Sequence, residues 1–130
     1  MKLKQEYQKL SKEEIIQLKK KKVQITEEII ENVFAYLTDT QPTIFTRYSE
    51  LLTYAYIMTE CTFLPINDPE RKNIIMAKDA KHTHWDDLYS IMEKHPQNQF
   101  ILIHFSNRYT DNELKIFKES VKLENVLFAI

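Results

Sequence analysis

The chain has 130 residues and not one glycine, where an average soluble chain of this length carries roughly 9. Phosphate-cradling loops, dinucleotide fingerprints and EF-hand turns need backbone at positive φ or in close approach to a ligand, which glycine alone supplies without steric cost, so those routes to ligand binding are excluded. An apolar content of 43% with 28% charged residues suits one globular domain, and the formal charge of −1 hides a basic segment: residues 1–22 hold eight lysines against Glu6, Glu13 and Glu14, a local +5 that leaves −6 on residues 23–130.

Along the chain, Ser11-Lys-Glu-Glu14 is a capping box that opens a helix running to about Lys20. The Lys-rich segment ends in Lys19, Lys20, Lys21 and Lys22, a run that reads either as a solvated helical face or as a contact for RNA phosphates. Residues 23–25 are expected as a strand. So are residues 29–37, whose apolar end Val33-Phe-Ala-Tyr-Leu37 suits burial on both faces. Polar Thr38-Asp-Thr40 breaks that run, and after a short connection through Leu51 and Leu52 a second strand over 55–59 leads straight into Glu60. Pro65 and Pro69 mark a loop. Trp85, Leu88, Tyr89 and Met92 recur at helical spacing and predict a helix ending near His95-Pro96. Residues 100–103 form the third buried strand and deliver His104 at its end. Thr110-Asp-Asn-Glu113 caps a helix with Leu114, Phe117 and Val121 facing inward, and residues 126–130 make a last strand. Strands separated by helices predict an α/β layer. No apolar run approaches the about 20 residues of a membrane span, the first ten residues lack the apolar stretch of a secretory signal, and the single Cys61 excludes an intrachain disulfide and fits a reducing compartment.

Chemistry-bearing residues fall at element ends: Asp39, Glu60 and His104 lie just past buried strands, and His82 opens a helix. In α/β folds ligands gather at the carboxyl ends of strands, and a carboxylate with two imidazoles matches the ligand chemistry of Zn²⁺. Separations of 21, 22 and 22 residues are no metal motif by themselves. Taken singly, Asp39 reads also as a turn residue, Glu60 as a surface carboxylate, and either histidine as a hydrogen-bonded structural one.

The order of short motifs resembles the ribonuclease Z group of the metallo-β-lactamase superfamily, most closely its short form. His104-Phe-Ser-Asn-Arg-Tyr109 is similar to that family's His-Phe-Ser-x-Arg-Tyr, and Thr59-Glu-Cys-Thr-Phe63 to its His-Glu-Ala-Thr-Phe. Ala80-Lys-His-Thr-His84 resembles the element holding the site histidine, Tyr36-Leu-Thr-Asp-Thr40 the Gly-Asp-Thr turn, and Leu18-Lys-Lys-Lys-Lys-Val-Gln-Ile-Thr26 the segment preceding that turn. The likeness extends over roughly residues 4–130. It implies half of an αββα sandwich over 1–130, the C-terminal half, with the Lys-rich segment 1–22 at its start. It implies Asp39 as a metal-bridging carboxylate and His104 as a zinc ligand. Glu60 and His82 are then the catalytic pair that holds the scissile phosphate and delivers a proton to the leaving oxygen. The reaction implied is cleavage of a precursor transfer RNA at its 3′ side with two Zn²⁺ ions.

Arg108 and Tyr109 are candidates to reach RNA phosphate or to pack the motif. His84 matches no ligand position and reads as a helix-start residue, in a surface role or near RNA, and His95 also matches none. Cys61 reads as a small buried residue. The family's His-x-His-x-Asp-His motif is absent, and no histidine precedes His82. A partner chain carrying the N-terminal half is therefore expected to complete the zinc site, docked where Phe34, Tyr36, Tyr56 and Phe100 leave an apolar sheet face open. Alone, the chain is expected to be inactive. Two other readings stand beside this one: a non-catalytic structural or RNA-contacting subunit of a ribonucleoprotein such as a mitochondrial ribosome, and a metal-free small binding protein. The resemblance also places Thr38 and Lys81 where the family has glycine, so these are the backbone positions where a working site would be hardest to keep. A composition rich in Lys, Ile, Asn, Tyr and Phe suits an AT-rich genome, which gives an expectation of an intracellular protein with the mitochondrion as one compartment.

Overall fold

A computed structural model describes residues 1–130 and divides them between two units, Met1–Glu31 and Asn32–Ile130. In the first unit helix α1 (Lys12–Lys20) opens with the expected capping box. Glu14 N donates to Ser11 Oγ at 3.2 Å and Ser11 N donates to Glu14 Oε2 at 2.7 Å, satisfying two N–H groups that a helix start leaves free. None of its side chains is buried, and Lys19, Lys20, Lys21 and Lys22 are all exposed. Lysines in the last turn complement the partial negative charge at a helix C-terminus. The strand expected at 23–25 forms just beyond, as β2 (Thr26–Glu27), because its antiparallel partner is β1 (Lys2–Leu3), a pair too short to leave a periodic signal.

The second unit is built on four parallel strands in the order β3 (Phe34–Tyr36), β4 (Tyr56–Glu60), β5 (Gln99–Ile103) and β6 (Val126–Phe128). Register places Ala35, Ile57 and Phe100 side by side, with Leu102 beside Phe128. That face is the core: Ile57, Phe100 and Leu102 are fully buried and pack with Phe45 of α2 (Ile44–Arg47), Leu88 and Met92 of α4 (Trp85–Lys94) and Leu114 of α5 (Asp111–Ser120). Trp85 stacks on Phe128 at 5.7 Å and meets Phe117 edge-on at 5.1 Å, an arrangement aromatic quadrupoles favour. The capping box at Thr110–Glu113 and the stripe of α4 are as their sequences require. The α/β class holds, with a parallel sheet flanked by helices that is consistent with half of an α/β sandwich.

Two expectations are corrected. Strand β3 is not buried on both faces, since Phe34 and Tyr36 are 49% and 59% exposed while Ala35 between them is buried. Phe100 does not belong to the open face; alternation turns it into the core, and the open face consists of Phe34, Tyr36, Tyr56 and Leu127 with half-buried Met58, Ile101 and Ile103. A parallel sheet with one face bare is uncommon, because crossover connections normally bring cover to both sides.

Helix α3 (Lys72–Ala80) has no counterpart in the sequence reading. Only Asn73 and Ala77 are buried along it while Ile75 and Met76 are exposed, so its apolar residues do not mark its inner stripe. Its C-cap, Lys81, sits at φ 57°, ψ 41° in the left-handed region, one of the two positions where glycine was expected to be missed. The other, Thr38, is not at positive φ, so no left-handed backbone is asked of the threonine. Left-handed backbone costs an ordinary L-residue ~1–2 kcal/mol, partly offset in a glycine variant by the ~0.5–1 kcal/mol entropy of the freer unfolded chain. Lys81→Gly is therefore expected to stabilise the chain by roughly 0.5–1 kcal/mol, read as a rise in the urea midpoint at constant slope; a fall would show that the lysine side chain contributes more than its backbone strain removes.

Candidate functional site

Four loops meet at the carboxyl edge of the sheet, and one side chain ties three of them together. Glu60, the last residue of β4, is completely buried, and by alternation it lies on the side of Tyr56 and Met58. Its Oε1 accepts from Thr83 N at 3.0 Å, from Thr40 N at 3.2 Å and from His82 Nδ1 at 2.9 Å. Its Oε2 accepts from Thr62 N at 2.9 Å and from Thr62 Oγ1 at 2.8 Å. A carboxylate offers acceptors only and a buried one must be met by donors; here three backbone N–H groups, a hydroxyl and an imidazole meet it. The surface reading of Glu60 is thereby overturned.

Neighbouring contacts fix the same loops. Thr83 Oγ1 donates to Thr40 O at 2.9 Å, Cys61 N to Ile103 O at 2.9 Å, Ser106 N to Thr62 O at 2.9 Å, and Trp85 N to Phe63 O at 2.8 Å. Cys61 is the small buried residue it was expected to be, its thiol pushed well above the ordinary range chiefly by burial.

Asp39, His82 and His104 converge at this edge, each with a ligating atom within 4.8 Å of the others. The imidazoles of His82 and His104 stack at 5.5 Å, and His104 Nδ1 stands 3.8 Å from Asp39 Oδ1. His82 lies in the link between α3 and α4 rather than at a helix start. Its side chain is about one-fifth exposed, while those of His104 and Asp39 are 53% and 71% exposed, so the group opens outward. A cleft of about 370 Å³ runs from His82 past Gln41, Thr43, Lys78 and Asp87. His104 itself sits at φ 59°, a conformation costly for a non-glycine residue and found where surrounding structure over-determines it. Hydrogen bonds on both sides, from Cys61 N to Ile103 O and from Ser106 N to Thr62 O, supply that constraint.

One carboxylate and two imidazoles can hold one Zn²⁺ with a position left open, the arrangement of catalytic zinc centres. They are too few for two ions.

The other motif residues also make contacts within the chain. Tyr109 is buried; its hydroxyl donates to Leu64 O at 3.0 Å and accepts from Leu64 N at 2.9 Å and Asn73 Nδ2 at 3.2 Å. Arg108 is exposed, with Nη1 donating to Asn73 Oδ1 at 2.9 Å and its guanidinium 5.1 Å from the centre of the Phe63 ring. His84 corrects the surface reading: it is 1% exposed and is the N-cap of α4, its Nδ1 accepting from Asp86 N at 3.1 Å. Its buried Nε2 has no hydrogen-bond partner.

Burial holds the His84 imidazole below its ordinary 6.5, against the pull of Asp86 and Asp87. The unfolded chain then takes up a proton that the folded chain refuses. Stability is thus whole above about 6.5 and declines as pH falls below that value, until the folded ring also protonates. The urea midpoint is expected to drop between pH 7 and pH 5, and less so in His84→Asn, which keeps a cap without the titrating ring; equal drops in both would remove His84 as the cause.

Sequence reasoning missed Thr62, Thr83 and Thr40, which present Glu60 with its donors. Lone threonines carry no spacing signal. No protein-family model matches the chain. It is similar to tRNase Z TRZ1 of Arabidopsis thaliana, with 34% identity over 133 residues that take in 99% of this chain and 46% of that protein. The chain spans about half the length of the curated relative it matches.

Proposed function

We propose that this chain is the C-terminal half of a ribonuclease Z-type, zinc-dependent phosphodiesterase that cleaves precursor transfer RNA, and that the remaining metal ligands come from the other half of a metallo-β-lactamase-type domain. The observation that carries the reading is the convergence of Asp39, His82 and His104, with ligating atoms within 4.8 Å, around buried Glu60. The 34% identity to a protein named a tRNase Z supports the substrate class, and coverage of 46% of that protein supports a missing half. Whether that half is a separate polypeptide or a further stretch of the same one, it is expected on the bare sheet face, the side to which Glu60 belongs.

In this reading Asp39 and His104 hold metal, and His82, braced at Nδ1 by Glu60, presents Nε2 to the substrate phosphate or to the metal. When bound, zinc supplies Lewis-acid stabilisation of the phosphoryl oxygens and a nucleophile at neutral pH. Glu60 has every oxygen lone pair engaged inside the protein and acts on the phosphate through His82. His82 orients the phosphate and, once Nε2 takes up a proton while Nδ1–H stays on Glu60, passes that proton to the leaving ribose oxygen and returns to the Nδ1–H form. Lys19, Lys20, Lys21, Lys22 and Arg108 offer cations to RNA phosphates.

The test is made on the native assembly, captured through a tag on this chain. Bound zinc and precursor transfer RNA cleavage are expected, both lost or reduced at least 100-fold on Asp39→Ala. A stable assembly containing the second half, free of zinc and without cleavage, would overturn the reading.

A further inference from the structure

We infer that Thr62 is a positioning residue that sets which nitrogen His104 turns outward. The inference rests on the metal-site reading above and concerns a side chain to which that reading gives no part. Thr62 Oγ1 lies 2.8 Å from Glu60 Oε2 and 3.0 Å from His104 Nδ1. A threonine hydroxyl has one hydrogen and two lone pairs, and a carboxylate can only accept. The hydroxyl hydrogen is therefore committed to Glu60, and the contact to His104 is made only if Nδ1 carries the proton and donates to Thr62 Oγ1. Were His104 protonated at Nε2 instead, two lone pairs would face each other at 3.0 Å, or Thr62 would have to abandon Glu60.

The same carboxylate acts on the second ring. His82 Nδ1 is 2.9 Å from Glu60 Oε1, so it too donates. One buried glutamate thus fixes both imidazoles in the Nδ1–H form, His82 directly and His104 through one hydroxyl. Both rings are left with a bare Nε2, a lone pair that a metal can take. The rings stack at 5.5 Å with planes 28° apart, and Thr62 Oγ1 lies near both Nδ1 atoms, 3.4 Å from that of His82 and 3.0 Å from that of His104. Thr62 is only 7% exposed, so no bulk water competes freely for its hydroxyl.

The experiment reads the tautomers directly and needs neither metal nor activity. Long-range proton–nitrogen correlation spectra of the ¹⁵N-labelled 130-residue chain, at about pH 8.5 where an ordinary histidine is neutral, distinguish a protonated ring nitrogen from a bare one. Wild-type His82 and His104 are expected in the Nδ1–H form. Thr62→Val keeps the shape without the hydroxyl and is expected to move His104 to the Nε2–H form that free imidazole prefers, leaving His82 unchanged. Thr62→Ser is expected to restore the wild-type pattern. His104 in the Nε2–H form in the wild-type chain, or unchanged in Thr62→Val, would overturn the inference. Should Thr62→Val not fold, the wild-type and Thr62→Ser spectra decide it alone. Titration of the native assembly with zinc, expected to weaken by roughly 10- to 100-fold in Thr62→Val and little in Thr62→Ser, separates the two readings. Correct tautomers without zinc binding count against the metal site and leave the role of Thr62 standing.

Discussion

Replacing Glu60 by alanine is expected to lower the unfolding free energy by roughly 3–5 kcal/mol, the largest stability effect of any single polar substitution in this chain. The estimate follows from what is left behind. Removal of the carboxylate strands Thr40 N, Thr62 N and Thr83 N, the Thr62 hydroxyl and His82 Nδ1, and a buried donor without a partner costs about 1–3 kcal/mol. The sum is smaller than five full penalties because the cavity is polar and adjoins exposed Asp39 and His104, so water can enter it. Glu60→Gln keeps the shape but sets an NH₂ group against N–H donors, and about 1–3 kcal/mol is expected. Fluorescence of Trp85, the only tryptophan and itself buried, follows urea unfolding of both variants. A loss below about 1 kcal/mol for Glu60→Ala would show that the loops hold one another without the carboxylate. The consequence for function is direct, since two of the loops that Glu60 joins carry Asp39 and His82, and Thr62 links it to His104.

Much of this could be read from the sequence because apolar runs and capping boxes are local signals. Phe100 to Ile103 and Trp85 to Met92 declare their elements through periodicity, and the three cluster residues stand next to elements located in that way. What escaped depends on tertiary context. Helix α3 buries Asn73 and Ala77 and exposes Ile75 and Met76, the reverse of an amphipathic stripe. The core placement of Phe100 is fixed by register with Ile57, which no single strand reveals. His84 matches no ligand position and reads in sequence as a surface residue, yet its ring caps the helix start from inside. Thr62 is one unremarkable threonine until Glu60 and His104 lie on either side of it. The absence of glycine told on one bend of the two suspected: Lys81 takes the left-handed conformation and Thr38 does not need it.

Tyr36→Asp is expected to leave the chain's own stability within about 0.5 kcal/mol while weakening capture of the proposed second half by roughly 30- to 1,000-fold. Tyr36 is 59% exposed on a three-residue strand at the edge of the sheet, so a charge there stays solvated in the isolated chain. Its neighbours in register, Met58, Ile101 and Leu127, extend the same face across all four strands. If a second sheet lies against that face, an aspartate at its edge must be desolvated without a partner, at a cost of the order of 2–4 kcal/mol, the range for truncating a central interface anchor. Lys20→Asp, also exposed but in the first unit, serves as a charge-change control and is expected to leave assembly intact. Co-purification and sedimentation of the tagged chain measure both. Undiminished assembly in Tyr36→Asp together with retained zinc would place the second half elsewhere, and the bare parallel face would then need a different occupant.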